Sequence, residues 1–246
     1  MSKEPCKAFV LAAGLGTRLR PLTEQVPKCL LPIGGIPLLQ IWLEHLARQG
    51  VGEVLVNTHW RHEKVQEFLE TWGGNQQVAP FYEPRLLGSA GTILANRHWV
   101  EDGSPFLIIY GDNLTNVDLR KMLAFHRSHG LPFTLGVFRS KIPKQCGIAE
   151  VGADGLVTGF VEKPQEPQSD LAAAGVYVAD RRIFDFFPEV GPDWQNGPAV
   201  PLDLGFHVIP RLVGRMKAYL IKEFLMDIGT LGQYDEARAA WPKGEL

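Results

Sequence analysis

Two glycines, a threonine and two cations lie close together near the start of the chain. They sit in Leu11-Ala12-Ala13-Gly14-Leu15-Gly16-Thr17-Arg18-Leu19-Arg20-Pro21, followed by Pro27-Lys28. The apolar run Ala8-Phe9-Val10-Leu11 reads as a buried strand that ends in a glycine-rich turn. Without a Cβ, Gly14 and Gly16 let the main chain approach a ligand closely, and successive N–H groups there can point at phosphate oxygens. Arg18 and Lys28 add fixed positive charge, so the chemistry suits a polyphosphate. The turn is not a Walker loop, because no Gly-Lys-Ser/Thr closes it. It is not a dinucleotide fingerprint either, because Leu19 stands where a third glycine is required.

Acids follow at two distant points. Asp112 comes after Phe106-Leu107-Ile108-Ile109-Tyr110-Gly111, and Asp227 lies in Phe224-Leu225-Met226-Asp227-Ile228-Gly229-Thr230. A carboxylate at the end of a buried strand is costly unless a cation or hydrogen bonds compensate it. Two such hard ligands suit Mg²⁺, which keeps waters and takes further oxygens from substrate phosphates. Each acid alone is equally a helix cap or turn carboxylate. In Val161-Glu162-Lys163-Pro164 the proline should hold Lys163 extended and stop a strand there. Lys163 then offers a compact charge for a phosphate, and Glu162 an acceptor for sugar hydroxyls. Leu87-Gly88-Ser89-Ala90-Gly91 should open a helix with Ser89 as its cap, Gly88 leaving room for a flat base. Glu83, upstream, could accept from an N–H edge such as guanine N1/N2 or uracil N3.

The elements that must position these residues alternate through the first half. Strands are expected at 7–11, 53–57, 105–110 and 133–138, and helices at 38–49, 63–72 and 119–129. That order implies βαβ units and a mainly parallel sheet with helices on both faces, its ligands beyond the carboxyl ends of the strands. Closely spaced strands at 147–151, 156–161 and 172–178, with a tight turn at Asp154-Gly155, imply a small antiparallel lobe. Residues 164–170 read as a polar loop and 191–201 as a mobile surface connection. Helices at 201–213 and 229–241, with a strand at 217–221 between them, complete the pattern.

Composition excludes several classes. The chain has 246 residues, 45% hydrophobic and 21% charged, with a formal net charge of −2. Nothing basic enough for nucleic acid, and no apolar stretch long enough for a membrane, is present. The first residues do not resemble a signal peptide. Cys6, Cys29 and Cys146 have no metal-site spacing and read as reduced thiols of a cytoplasmic protein.

Together these segments resemble the sugar-1-phosphate nucleotidyltransferases. The match comprises Leu11 to Leu19, Pro27-Lys28, Leu87 to Gly91, Gly111-Asp112, Phe160 to Pro164, Ala174-Gly175-Val176-Tyr177 and Met226 to Gly229, in the family's order. The resemblance implies a glycosyltransferase-A-like, Rossmann-type α/β fold and one nucleotidyltransferase domain over 1–246. Residues 1–140 would mainly bind nucleotide and 141–246 mainly sugar phosphate, with no C-terminal left-handed β-helix domain. It implies that an NTP and a sugar 1-phosphate yield an NDP-sugar and pyrophosphate, with Mg²⁺ held by Asp112 and Asp227. Arg18 and Lys28 would be catalytic. Leu11, Ala12, Ala13, Gly14, Gly16, Thr17, Arg18, Glu83, Gly88 and Ser89 would bind nucleotide. Gly147, Glu162, Lys163, Ala173 and Gly175 would bind the sugar phosphate. Nucleic acid and membranes are not expected partners, and a homo-oligomer is allowed. The motifs look most like mannose 1-phosphate guanylyltransferases, with two departures: Ala173 replaces an asparagine, and Cys146 a tyrosine. Uridylyl or thymidylyl transfer to another sugar, and a non-catalytic nucleotide-sugar-binding regulatory subunit, are the alternatives.

Overall fold

The computed structural model describes residues 6–191, 194 and 201–241. The strands in chain order are β1 (Cys6–Leu11), β2 (Pro32–Ile33), β3 (Ile36–Pro37), β4 (Val51–Thr58), β5 (Gln77–Tyr82), β6 (Phe106–Tyr110), β7 (Asn113–Thr115), β8 (Phe133–Arg139), β9 (Gly147–Val151), β10 (Val157–Glu162), β11 (Leu171–Ala179), β12 (Met216–Leu220) and β13 (Leu225–Asp227). The α-helices are α1 (Leu38–Arg48), α2 (His62–Glu70), α3 (Ser89–Ala95), α4 (Leu119–His129) and α5 (Leu231–Ala240). They form two compact, interleaved units. Unit 1 comprises the described residues of Met1–Leu86, Ile109–Asp118 and Glu223–Leu246, and unit 2 those of Leu87–Ile108 and Leu119–Lys222.

Unit 1 is an α/β layer. β1 pairs parallel with β4, and β4 parallel with β5. Such strands are buried on both faces and read as unbroken apolar runs, as Ala8, Phe9, Val10, Val54 and Val56 do, all without exposure. α1 presents Leu39, Trp42, Leu43 and Leu46 to the core at helical spacing. Its Trp42 indole N–H donates to the Asn113 carbonyl at 2.7 Å, which fixes the short strand β7. β7 pairs antiparallel with β13, Asp227 opposite Asn113. α5 opens on a reciprocal cap: Thr230 Oγ1 accepts from Gln233 N (3.3 Å), and its hydroxyl donates to Gln233 Oε1 (3.0 Å).

Unit 2 is largely antiparallel, as expected for the lobe. β11 pairs with β8 and β9, and β9 with β10, all antiparallel, whereas β12 joins β8 in parallel. The Asp154-Gly155 turn joins β9 to β10, with Gly155 at φ 82°. The register of β11 on β8 shifts between Ala173 and Tyr177, where Gly175 takes φ 66° and forms a bulge. The helix expected at 201–213 is instead a π turn (Leu204–Val208) followed by a 3₁₀ turn (Ile209–Leu212). Pro210 explains this, since it has no N–H to continue an α-helical ladder. Most of the connection expected at 191–201 lies outside the described residues.

α4 seats two histidines on β8. Leu131 N donates to His129 Nδ1 (3.1 Å), so the His129 proton is on Nε2 and is donated to Thr134 Oγ1 (2.8 Å). The threonine hydroxyl then donates to His126 Nδ1 at 2.9 Å. Burial pulls His126 from 6.5 down to about 4; His129 and nearby arginines act the same way and outweigh the opposing pull of Asp180. Between those values the unfolded chain binds a proton that the folded chain refuses. Stability should therefore be full above pH ~6.5 and fall by about 1–3 kcal/mol as pH drops toward 4. Urea unfolding at pH 7.5 and 5 checks this. His126→Phe should flatten the dependence, and an unaltered slope would contradict the assignment.

Candidate active site

The glycine loop leaves β1 in unit 1 and is held from below by residues the motif does not contain. Gly16 sits at φ 62°, and a Cβ there would fall 2.8 Å from Thr23 Cγ2. The Thr23 hydroxyl donates to the Gly16 carbonyl (2.7 Å), and the Trp60 indole N–H donates to the Thr23 carbonyl (2.9 Å). Asn57, near the end of β4, accepts at Oδ1 from Ala12 N (2.6 Å) and Ala13 N (3.2 Å). Its Nδ2 donates to Glu83 Oε1 at 2.9 Å. Glu83 is 1% exposed, and its backbone is pinned by Glu83 N donating to the Thr58 carbonyl (2.8 Å).

The acids and cations named from sequence converge in this unit. Gly111 passes against the end of β1: its N–H donates to the Leu11 carbonyl at 2.9 Å, and an added Cβ would meet that oxygen at 3.1 Å. The crossing places Asp112 beyond the strand ends. Lys28, on a short 3₁₀ turn after Pro27, lies mostly buried and donates from Nζ to Asp112 Oδ2 at 2.7 Å. Ile228 N donates to the Asp112 carbonyl (3.0 Å), bringing Asp227 alongside. Asp227 ends a three-residue, half-buried strand rather than a long buried one. Its carboxyl is raised above the usual range, first by burial and then by repulsion from Asp112, while Lys28 and Arg18 pull it back. A Cβ on Gly229 would meet Asp227 Oδ2 at 2.6 Å and Arg18 Nη2 at 3.1 Å, so these two side chains close around that glycine.

Among the described residues no group of three or more His, Cys, Asp or Glu is placed to hold a metal. The Asp112/Asp227 pair nevertheless fits a hard divalent cation: both are hard oxygen donors, and Asp227 is raised by burial and by repulsion from Asp112, which a cation would relieve.

Unit 2 gathers the second set. The Glu162 carboxylate is packed between two glycines. A Cβ on Gly147 would collide with Glu162 Oε2, and one on Gly205 would fall 2.5 Å from the same oxygen. Burial raises the Glu162 pKa, Lys163 lowers it, and Asp203 raises it further. Lys163 Nζ stands 3.9 Å from Glu162 Oε1 and 5.8 Å from the centre of the Phe206 ring, which is 55% exposed. Ala173 and Gly175 lie on β11, at the start and within its bulge.

Three local expectations are corrected. Lys163 is not extended; it takes φ 50°, the left-handed region, and its N–H donates to the Cys146 carbonyl at 3.0 Å. Ser89 does not cap its own helix. Its hydroxyl donates to Asp203 Oδ2 (3.0 Å) and accepts from Leu204 N (2.8 Å), while Ala90 N and Gly91 N both donate to the Leu202 carbonyl. The space beside Gly88 is occupied by Leu202 main chain, which a Cβ would strike, so that glycine serves a chain–chain approach. Sequence reasoning does not find Asn57, Thr23, Asp203 or Gly205. Only Asn57 carries a signal, as a polar residue closing the apolar run Val54-Leu55-Val56.

Comparison with known proteins gives matches over most of the chain. The family model described as nucleotidyl transferase matches residues 7–243. A mannose-1-phosphate guanyltransferase of Gibberella zeae is 32% identical over 91% of this chain and 60% of its own length. A mannose-1-phosphate guanylyltransferase of Mycobacterium tuberculosis is 33% identical over 82% of this chain and 57% of its own. A glucose-1-phosphate adenylyltransferase of Bacillus licheniformis is 31% identical over 96% of this chain and 67% of its own. The chain thus spans about 60% of the length of the guanylyltransferase relatives it matches. Among solved structures, HddC of Yersinia pseudotuberculosis, complexed with GMP-PN, superposes with a TM-score of 0.76 at 23% identity, covering 96% of this chain and all of that one. A Bacillus anthracis protein assigned as a glucose-1-phosphate thymidylyltransferase gives 0.83 at 22% identity, over 95% and 94% of the two chains. These two share the mixed α/β fold. With the family model spanning nearly every described residue, the chain belongs to the nucleotidyl transferase family.

Proposed function

We propose that this chain transfers a nucleotidyl group from an NTP to a sugar 1-phosphate, with guanylyl transfer to mannose 1-phosphate or a related sugar as the preferred pair. The observation that carries the reading is the unit 1 cluster of Lys28, Asp112, Asp227 and Arg18 around the end of the glycine loop. An oxygen of the sugar phosphate attacks the α-phosphorus, a new P–O bond forms, and the bond to the bridging oxygen of the β-phosphate breaks. That oxygen keeps the electron pair and leaves as pyrophosphate. Such a transfer calls for positioning and charge neutralisation rather than covalent catalysis.

In this reading the Gly14–Thr17 main chain and Arg18 hold the departing phosphates, and Lys28 neutralises charge at the α-phosphate. Asp112 and Asp227 would hold Mg²⁺, which when bound supplies Lewis-acid stabilisation of the reacting phosphate oxygens. Lys163 takes the sugar phosphate and Glu162 the hydroxyls. Guanine is favoured because it offers two adjacent N–H donors to a carboxylate such as Glu83, and because the guanylyltransferase relatives match most of the chain. A pyrophosphate-release screen of five NTPs against a panel of sugar 1-phosphates with Mg²⁺ tests the proposal; no turnover with any pair would favour a binding-only role.

Gly205 gives a sharper test of the sugar side. In Gly205→Ala the new Cβ falls 2.5 Å from Glu162 Oε2, so the carboxylate must move. The KM for the sugar 1-phosphate should rise at least about tenfold while that for the NTP stays within about twofold. Equal changes in both would remove Glu162 from the sugar-binding role.

A further inference from the structure

Within unit 2 the start of α3 is laced to the turn at 203–207. Leu202 N donates to the Leu87 carbonyl (2.8 Å), and the Leu202 carbonyl accepts from Ala90 N (2.9 Å) and Gly91 N (3.2 Å). Ser89 completes the join with its side chain. Its one hydroxyl proton goes to Asp203 Oδ2 at 3.0 Å, and its oxygen accepts from Leu204 N at 2.8 Å. Asp203 in turn holds the rest of the turn. Its Oδ1 accepts from Phe206 N (3.0 Å), its carbonyl accepts from His207 N (2.9 Å), and its own N–H donates to His207 Nδ1 (2.9 Å). A π turn is rare in isolation, and these bonds fix this one in place.

The turn lies against the residues proposed for the sugar phosphate. A Cβ on Gly205 would fall 2.5 Å from Glu162 Oε2 and 3.2 Å from Asp203 Oδ1. Phe206, the next residue, carries its exposed ring 5.8 Å from Lys163 Nζ. One short segment thus backs Glu162 with a glycine and flanks Lys163 with an aromatic ring.

We infer that Ser89 is a positioning residue for the sugar 1-phosphate: through Asp203, its hydroxyl sets the turn that backs the Glu162 carboxylate. The inference rests on the proposed role of Glu162 in holding the sugar hydroxyls. It moves Ser89, a residue of the motif expected to bind nucleotide, to the side of the other substrate. The only proton of the hydroxyl is committed to Asp203, so Ser89 has none to donate to a nucleotide while the join holds. In Ser89→Ala both Leu204 N and Asp203 Oδ2 lose this partner. Half-buried polar groups left unpaired are costly, so the turn should shift and Glu162 should lose its backing.

The test measures KM for the NTP and for the sugar 1-phosphate in wild type, Ser89→Ala, Ser89→Thr, Glu162→Ala and Ser89→Ala/Glu162→Ala, with melting curves for each. Ser89→Ala should raise the sugar 1-phosphate KM at least about fivefold and leave the NTP KM within about twofold. Ser89→Thr, which keeps the hydroxyl, should return the sugar KM to within about twofold of wild type. Glu162→Ala should raise the sugar KM by itself. Adding Ser89→Ala to it should then change that value less than about twofold, because the group it acts through is gone. If Ser89→Ala does not fold, Ser89→Cys takes its place with the same expectation, since a thiol keeps the size and weakens both bonds. An unchanged sugar KM, an equal rise in both KM values, or an undiminished effect in the Glu162→Ala background would overturn the inference while leaving the proposed reaction intact. No turnover by the wild type with any substrate pair would remove the proposed function, and the inference with it.

Discussion

Asp227→Asn should lower the rate of pyrophosphate release at least about a hundredfold with the preferred substrate pair, the scale of removing one catalytic electrostatic group. The substitution keeps the shape of the side chain and removes only its charge. In the folded chain Asp227 is half-buried, raised first by burial and then by repulsion from Asp112, and only partly relieved by Lys28 and Arg18. That is a carboxylate kept where a divalent cation would stabilise it, since removing it would relieve an unfavourable interaction in the free protein. Asparagine should therefore leave the melting temperature unchanged or raised while turnover collapses. Raising Mg²⁺ should recover part of the rate in Asp227→Asn. A variant within about tenfold of wild type at low Mg²⁺ would remove the acid from the reaction.

Lys28→Met should be comparably damaging, lowering kcat/KM about 100- to 1000-fold. The lysine lies with its side chain 10% exposed, and its ammonium is 2.7 Å from Asp112 Oδ2. Methionine retains the apolar stem and removes the charge, so that Arg18 is left to offset the repulsion between Asp112 and Asp227 without Lys28. Lys28→Arg should recover less than about tenfold of the loss, because a planar guanidinium cannot occupy the small space of a buried ammonium. Steady-state kinetics on both variants, with melting curves to confirm folding, provide the check. Full rescue by arginine would mean that net charge alone matters at this position.

Much of the fold is legible because buried strands and amphipathic helices impose periodicity. β1, β4, β6 and β8, with α1, α2 and α4, all fall where the apolar spacing places them. β5 is not legible, since Gln77–Tyr82 is mostly exposed and has a proline in its middle. The short strands β2, β3, β7 and β13 escape for another reason: two- and three-residue pairings leave no period to read. The break at Pro210 is visible in the sequence, but the apolar pattern around it reads as a continuous helix.

The candidate site divides in the same way. Arg18, Lys28, Asp112 and Asp227 are recognisable from residue type and motif, and the Lys28–Asp112 ion pair joins two of them. What sequence cannot supply are contacts made by residues outside any motif: Asn57 on Ala12 and Glu83, Thr23 under Gly16, and Gly205 against Glu162. Each depends on tertiary approach between separate segments of the chain. Gly88 shows the opposite error, a motif glycine read as room for a base when Leu202 main chain fills the space.

Label transfer follows the fate of each phosphate of the NTP. Incubation with a sugar 1-phosphate and Mg²⁺, using the NTP labelled at either the α- or the γ-phosphate, separates nucleotidyl transfer from every other use of an NTP. Nucleotidyl transfer should put α-label into a nucleotide sugar and γ-label into pyrophosphate, in equal amounts. Label from the γ-position in orthophosphate or on the sugar, with none from the α-position in a nucleotide sugar, would contradict it.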